Sequence, residues 1–562
     1  MLKKLAIGVS DFKKLIQSNC YFVDKSLLIK EFLDDGAEVV LLPRPRRFGK
    51  TLNLSMLSYY FDLQESDNLF TDLAIWQHEE YREFRGKYPV IFLTLKDTKA
   101  DNYDDCIFKI KEIIREELQR FEYLLTSDLV NKRDILLLNR IASDNALNVE
   151  YESFFRIFLR CIAKHHGVKP ILLIDEYDVP IQAGFSYGYY DKIISFMRNF
   201  LTNGLKDSKY LHKAALTGIL RVAKESIFSG LNNPKVATII DIPYSDKFGL
   251  KEDEVTEMLK YYNMEASIDI VKEWYDGYIF GNTGIYNPWS ILSFIDNKKP
   301  YPEPYWINTS SNDIIKSLIS RGSGYVKEDL EILISGETIT KEVNSSIVMS
   351  DIEKSPDSLW TFLLFSGYLT ALKRVHLQGS NKSYYELAIP NTEVSYIYEA
   401  IISSWIEATV NSNKHQTMLK SLLSGDIKTF NKIFSEYCLS AFSYFDVSGE
   451  TEKTYHAFVL GMLISLPKPD YQLKSNRESG LGRYDVMIIP KDTTKKGIII
   501  EFKKFDAEDE KSIEDAIESA FTQIEEKKYR QELLDLGFAP GNILEVAIAI
   551  DGKASLVKAR NV

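Results

Sequence analysis

The sequence predicts an α/β protein: a mostly parallel sheet covered by helices on both faces, then a helical middle, then a second α/β unit. Three observations predict it. Over residues 1–245, short apolar runs rich in β-branched residues alternate with amphipathic helical patterns, which is the mark of βαβ units. Residues 246–445 lose that alternation and read as helices broken by Pro and Asn turns. From 446 to 562 apolar runs and a charged helical pattern return. These three stretches are the expected domains.

Composition narrows the class of function. The 562 residues carry a net charge of −11 and are 45% hydrophobic, an ordinary globular balance. An acidic chain is not coated wholesale for nucleic acid, so such a partner needs a local basic surface or a metal-filled site. Cys20, Cys106, Cys161 and Cys438 are far apart with no CxxC pair, which argues against zinc ribbons and disulfide scaffolds and suits a reducing cytosol. No apolar run approaches the roughly 18 residues that span a bilayer. The N-terminus lacks the apolar stretch of a signal peptide. The expectation is a soluble cytoplasmic protein with no membrane partner.

In chain order, the apolar run 39–42 enters a basic turn, PRPRRFGKT, that opens onto a helix from Lys50. Residues 89–95 (PVIFLTL) read as a buried strand, 104–121 and 151–165 as helices, and 171–174 as a strand ending at Asp175-Glu176. A helix over 189–205 leads to a strand ending at Thr217-Gly218, and 237–240 reads as a further short strand. Aromatics of the middle stretch, such as Trp274, Trp289 and Trp360, are expected to pack between helices. The C-terminal stretch reads as a helix from about Glu452, strands around RYDVMIIP and GIIIEFK, one long charged helix over 508–534, and a closing strand, ILEVAIAI.

Two constellations carry chemistry. Strand, basic loop and helix around Gly49-Lys50-Thr51 are the context of a phosphate-binding loop: backbone N–H groups and a helix N-terminus face the phosphates. Arg46, Arg47, Phe48, Gly49, Lys50, Thr51 and Leu52 form the nucleotide-binding segment. Lys50 reaches the β/γ oxygens and Thr51 ligates Mg²⁺. Arg46 and Arg47 neutralise phosphates or face another subunit or nucleic acid; the sequence leaves this open. The usual pattern begins with a glycine, and here Arg44 stands in that place, between Pro43 and Pro45. Asp175 is expected in the Mg²⁺ shell, Glu176 to orient or deprotonate the attacking water, and Thr217 to sense the γ-phosphate. Arg221 or Lys224 would add positive charge.

The second constellation is Asp485 with Glu501 and Lys503. Residues i and i+2 of a strand share a face, so Glu501 and Lys503 point together, and pairing of their strand with RYDVMIIP brings Asp485 alongside. Two carboxylates and a carbonyl suit Mg²⁺, with Lys503 stabilising charge on a phosphodiester. Glu452 would complete the metal shell and Gln523 would orient the site.

PRPRRFGKT, ILLIDEYDVPI, ESIFSGLNN, WYDGYIFGNTGIYNPWS, FLLFSGYLT and ESGLGRYDVMIIP…IIIEFK resemble the bacterial predicted AAA-ATPase-like family. Its members carry a C-terminal domain of the PD-(D/E)XK nuclease superfamily. The resemblance implies a P-loop NTPase sheet, a restriction-endonuclease-like C-terminal fold, ATP and Mg²⁺ as cofactors, and an RPRRFGKT loop in which Arg44 is normal. It implies nucleotide hydrolysis at Asp175 and Glu176 and a nuclease site at Asp485, Glu501 and Lys503, with Glu452 and Gln523 supporting. The expected function is an ATPase coupled to a Mg²⁺-dependent nuclease acting on nucleic acid, DNA before RNA, with homo-oligomer assembly open. The alternative is a nucleotide-controlled switch or scaffold whose C-terminal domain binds nucleic acid or a partner without cleaving.

Overall fold

The computed structural model describes residues 2–220, 234–297, 301–306 and 412–444, and, with short breaks, 315–398 and 462–562. The chain forms two compact units, Met1–Ile315 with Thr340–Val394, and Lys316–Ile339 with Ser395–Val562.

The first unit is built on strands β1 (Val39–Pro43), β2 (Val90–Thr94), β3 (Ile171–Asp175), β4 (Lys213–Gly218) and β5 (Lys235–Val236). They pair in parallel in the order β2-β3-β4-β1-β5. β1, β3 and β4 are buried along their whole length. That is why their sequences read as unbroken apolar runs: a parallel strand with helices on both faces has no solvent side to mark. β2 lies at the edge, and Glu117 accepts the N–H of Phe92 at 2.9 Å. This satisfies a donor that an edge strand otherwise leaves open.

Helices fill the crossovers. Lys50–Phe61 follows β1, and Tyr103–Gln119 starts where the Asn102 side chain accepts from Asp105 N. The helix expected over 151–165 is two, Asn148–Glu152 and Phe154–His166, the second ending at left-handed Gly167. The strand expected over 237–240 is corrected: the strand is Lys235–Val236, and the chain then turns. Asp241 accepts from both Thr238 N, at 2.8 Å, and Thr238 Oγ1, at 2.7 Å, and such local bonds compete with a sheet ladder.

The stretch expected to be helical is not purely so. Among helices Glu252–Tyr261, Ile268–Tyr275, Pro288–Asn297 and Pro356–Ser366, the second and third are joined by a hairpin, β6 (Tyr278–Phe280) and β7 (Thr283–Ile285), around Gly281-Asn282. A small sheet of β8 (Ile339–Glu342), β10 (Tyr384–Ala388) and β9 (Thr370–Val375) follows.

In the second unit, β11 (Tyr471–Ser479), β12 (Gly482–Pro490), β13 (Gly497–Lys504), β14 (Ile543–Asp551) and β15 (Ala554–Asn561) form one sheet in chain order. Only β13 and β14 run parallel. Alternate residues serve opposite faces. Ile498, Ile500 and Phe502 pack with Phe430 and Phe434 of helix Ile427–Tyr444, while Ile499 and Ala547 pack with Ala520 and Ile524 of helix Ile513–Glu526. The single helix expected over 508–534 is therefore corrected to Ile513–Glu526 and Gln531–Asp535. Ser512 and Asp515 form a capping box that fixes the start, and Lys528 at φ +57° breaks the run. The helix expected from Glu452 lies outside the described residues.

Candidate functional sites

The first site forms where β1 ends. Arg44 is fully buried and its guanidinium turns away from the loop face. It donates to the carbonyls of Pro43 (2.8 Å), Ala237 (2.6 Å) and Tyr244 (3.0 Å) and lies over the rings of Phe248 and Phe280. Burial pulls its pKa down to about 9, opposed by the charges of Asp241 and Glu31. Arg44 is thus an anchor beneath the loop rather than a group on it. Phe48, also fully buried, packs edge-on to Tyr278 and tilted against Phe280. Arg47 and Gly49 hold φ of +68° and +84°, and at Gly49 that backbone, not lack of space, is what favours glycine.

Lys50 opens the helix and is 5% exposed. Its ammonium donates to the carbonyls of Arg44 and Pro45, both at 3.1 Å. Burial lowers its pKa, against the pull of Glu176 and Asp175. Asp175, at the end of β3, is fully buried between hydroxyls. Thr51 donates to Oδ2 at 2.7 Å, Thr217 to Oδ1 at 2.6 Å, and Thr94 is at 3.4 Å from Oδ2. The Thr51–Asp175 oxygen pair beside a phosphate loop fits Mg²⁺. Glu176 adopts φ +51° and lines the adjoining cavity; burial raises its pKa, with Lys50 acting against the shift.

The next two residues tie the ends of β3 and β4 together. Tyr177 N donates to Thr217 O at 3.1 Å and its hydroxyl to Leu220 O at 2.5 Å. Asp178 Oδ2 accepts from the amides of Ile219 and Leu220 at 2.9 and 3.1 Å, and from Gln182. Gly218 lies so close that a Cβ there would meet Asp178 Oδ1 at 2.6 Å.

A cavity of about 450 Å³ runs along Arg46–Asn53 and takes in Glu176, Asp178, Lys96 and Lys99. Lys96 and Lys99 escaped the sequence reading, although they follow β2 at the carboxyl edge where ligands of such sheets sit. Asp178 escaped it too, as the third acid of DEYD. Thr217 acts on Asp175 rather than on the cavity wall. Arg221 and Lys224 lie outside the described residues. A larger cavity, about 830 Å³, is lined by Asp62, Glu65, Glu112, Glu116 and Glu117 with only Lys109 and Arg120 as cations, a net acidic lining that disfavours a triphosphate.

The second site forms where β12 and β13 part. Their ladder ends at Val486↔Ile500, and the carboxylate of Asp485 then accepts from Phe502 N at 2.7 Å, filling the position of the next strand partner. Glu501 is 1% exposed and pairs in register with Ala547, as Lys503 does with Ala549; both alanines are buried and small. Gln523 donates to the hydroxyl of Tyr529 at 3.2 Å. Burial raises the pKa of that phenol, Gln523 opposes, and the charges of Glu501 and Asp485 add to the rise. Tyr529 is thus tied to Gln523 across a turn that the sequence did not mark, within the field of both carboxylates. Asp485 and Glu501 offer Mg²⁺ hard oxygen donors. Among the described residues no three His, Cys, Asp or Glu side chains form a metal-holding group, and Glu452, expected as the third donor, lies outside them.

Residues 6–228 match a family described as predicted AAA-ATPase, and residues 450–560 match the PD-(D/E)XK nuclease superfamily. The chain is also similar to an uncharacterized protein in the vnfD 5′ region of Azotobacter chroococcum mcd 1, with 24% identity over 442 residues, 78% of each chain. Among the described residues no helix is long and apolar enough to cross a membrane.

Proposed function

We propose that the chain binds and hydrolyses ATP and couples this to Mg²⁺-dependent cleavage of DNA, a reading supported by the match of residues 6–228 to the predicted AAA-ATPase family and of 450–560 to the PD-(D/E)XK nuclease superfamily. The observation that supports the reading is the Thr51–Asp175 hydroxyl–carboxylate pair beside the loop of Lys50, together with Asp485 bonded to the strand that carries Glu501 and Lys503. In the first, Lys50 leaves the carbonyls of Arg44 and Pro45 for the β/γ-phosphate oxygens. Asp175 holds the Thr51 hydroxyl, and Glu176, its pKa raised by burial, takes the proton of the attacking water. In the second, Asp485 and Glu501 hold Mg²⁺, which when bound supplies charge stabilisation to the phosphodiester. Lys503, two residues along the same strand face, stabilises the developing negative charge.

The test uses the full chain with Mg²⁺ or Mn²⁺, ATP and plasmid DNA. Cleavage is expected, with a loss of about 100-fold or more in Asp485→Ala and Lys503→Ala. Equal cutting by wild type and both variants overturns the nuclease assignment. DNA binding without cutting under all these conditions leaves the nucleotide-controlled scaffold.

A further inference from the structure

The cavity that begins at the phosphate loop does not end in polar groups. Its far wall is apolar, formed by Val9 and Val23 from the N-terminal segment, Leu250 and Met258, and Trp289 and Leu292. Val9, Val23, Trp289 and Leu292 are only partly buried, so each keeps part of its surface toward the cavity while Val23 and Leu292 also back onto the cluster of Leu250 and Met258. Trp289 is held in place from both sides. Asn287 Oδ1 accepts its backbone N–H at 2.9 Å, and the Arg47 guanidinium lies over its ring at 4.3 Å. Leu292 follows by three helical positions and so shares its face.

Arg47 links the two ends of this cavity. It belongs to the phosphate loop, yet it adopts a left-handed backbone that costs a non-glycine residue on the order of 1 kcal/mol. Its side chain lies over the partly buried ring of Trp289, a residue outside both matched family regions. A phosphate chain fills only the loop end; a planar aromatic group tethered to it fills the other. At about 450 Å³ the space is in the range of small-molecule sites.

We propose that Trp289, with Met258 and Leu292, forms the nucleobase subsite of this ATPase, joined to the phosphate loop by Arg47. This rests on the nucleotide-binding reading above and adds to it the source of base recognition: residues 250–292, downstream of the matched ATPase region.

The experiment is calorimetric titration of the full chain with Mg·ATP and with inorganic tripolyphosphate, which has the phosphates and no base. The variants are Trp289→Ala, Leu292→Ala, a truncation that places no charge against the neighbouring apolar cluster, and Lys50→Ala. Wild type is expected to bind ATP more tightly than tripolyphosphate. Trp289→Ala should lower ATP affinity about tenfold or more, Leu292→Ala should lower it in the same direction, and both should leave tripolyphosphate affinity unchanged, whereas Lys50→Ala should weaken both. ATP affinity unchanged in the two base-site variants, or equal affinity of wild type for ATP and tripolyphosphate, overturns the subsite alone. If wild type binds neither, the nucleotide reading falls and the subsite falls with it.

Discussion

Arg44 occupies the position where phosphate loops usually begin with glycine, so replacing it by glycine looks like a repair. The structure says the opposite. Removing the guanidinium leaves three carbonyls, those of Pro43, Ala237 and Tyr244, without their donor in a buried site. Arg44→Gly is expected to lower stability by about 3 kcal/mol and to weaken nucleotide binding, read by chemical denaturation and by titration with ATP. A stable variant with tighter binding would show that the anchor is dispensable. A second residue sets a pH dependence. Glu393 is fully buried, accepts from Trp306 N and Ser290 Oγ, and has its pKa pushed from 4.5 to about 7 by burial. A carboxyl whose folded pKa is raised stabilises the fold when protonated. That contribution is full below about 4.5 and is lost as pH rises through 7. Melting temperature should therefore fall between about pH 4.5 and 7 and level off above that, and Glu393→Gln should flatten that slope.

At the scale of elements, the ends of β3 and β4 behave as one piece, because Tyr177 and Asp178 hold Thr217, Ile219 and Leu220 through four hydrogen bonds and the salient contact at Gly218 leaves no slack. Asp178→Ala strands two buried amides at the end of the strand that carries Thr217. It should cut ATP turnover about tenfold or more while leaving ATP affinity close to wild type. A fall in affinity with turnover per bound nucleotide unchanged would assign Asp178 to binding instead. Legibility differed between elements for physical reasons. β1, β3 and β4 were readable because burial on both faces leaves a continuous apolar run. β11 and β15 were not, since each is an edge strand with polar residues along it. The hairpin around Gly281-Asn282 was visible in YIFGNTGI but overshadowed by helical neighbours. The candidate site residues Asp175 and Glu176 at the end of β3 were readable from local pattern. Asp178 and Trp289 were not, because their partners, Ile219 and Leu220 for one and Arg47 for the other, come from distant parts of the chain.

For the whole molecule, the question is how the two sites depend on each other. Glu176→Gln should bind ATP but lower its turnover about 100-fold. If hydrolysis drives cleavage, DNA cutting by this variant with ATP should fall in proportion. Asp485→Ala, in the other compact unit, should keep an ATPase rate within about twofold of wild type. Cutting by Glu176→Gln at the wild-type rate would mean that ATP binding alone is enough. The composition reading bears on the same scale: at a net charge of −11, DNA contact depends on local basic surface, so cutting should weaken steeply with salt.

The anchoring of Arg44 has a consequence for how the protein can be divided. The matched ATPase region ends at residue 228, but the carbonyls that hold Arg44 are at Ala237 and Tyr244, and the rings beneath it are at Phe248 and Phe280. A fragment cut at the edge of the family match would keep every residue of the phosphate-loop pattern and lose the floor on which that loop stands. The smallest self-sufficient nucleotide-binding piece extends at least to the hairpin of β6 and β7.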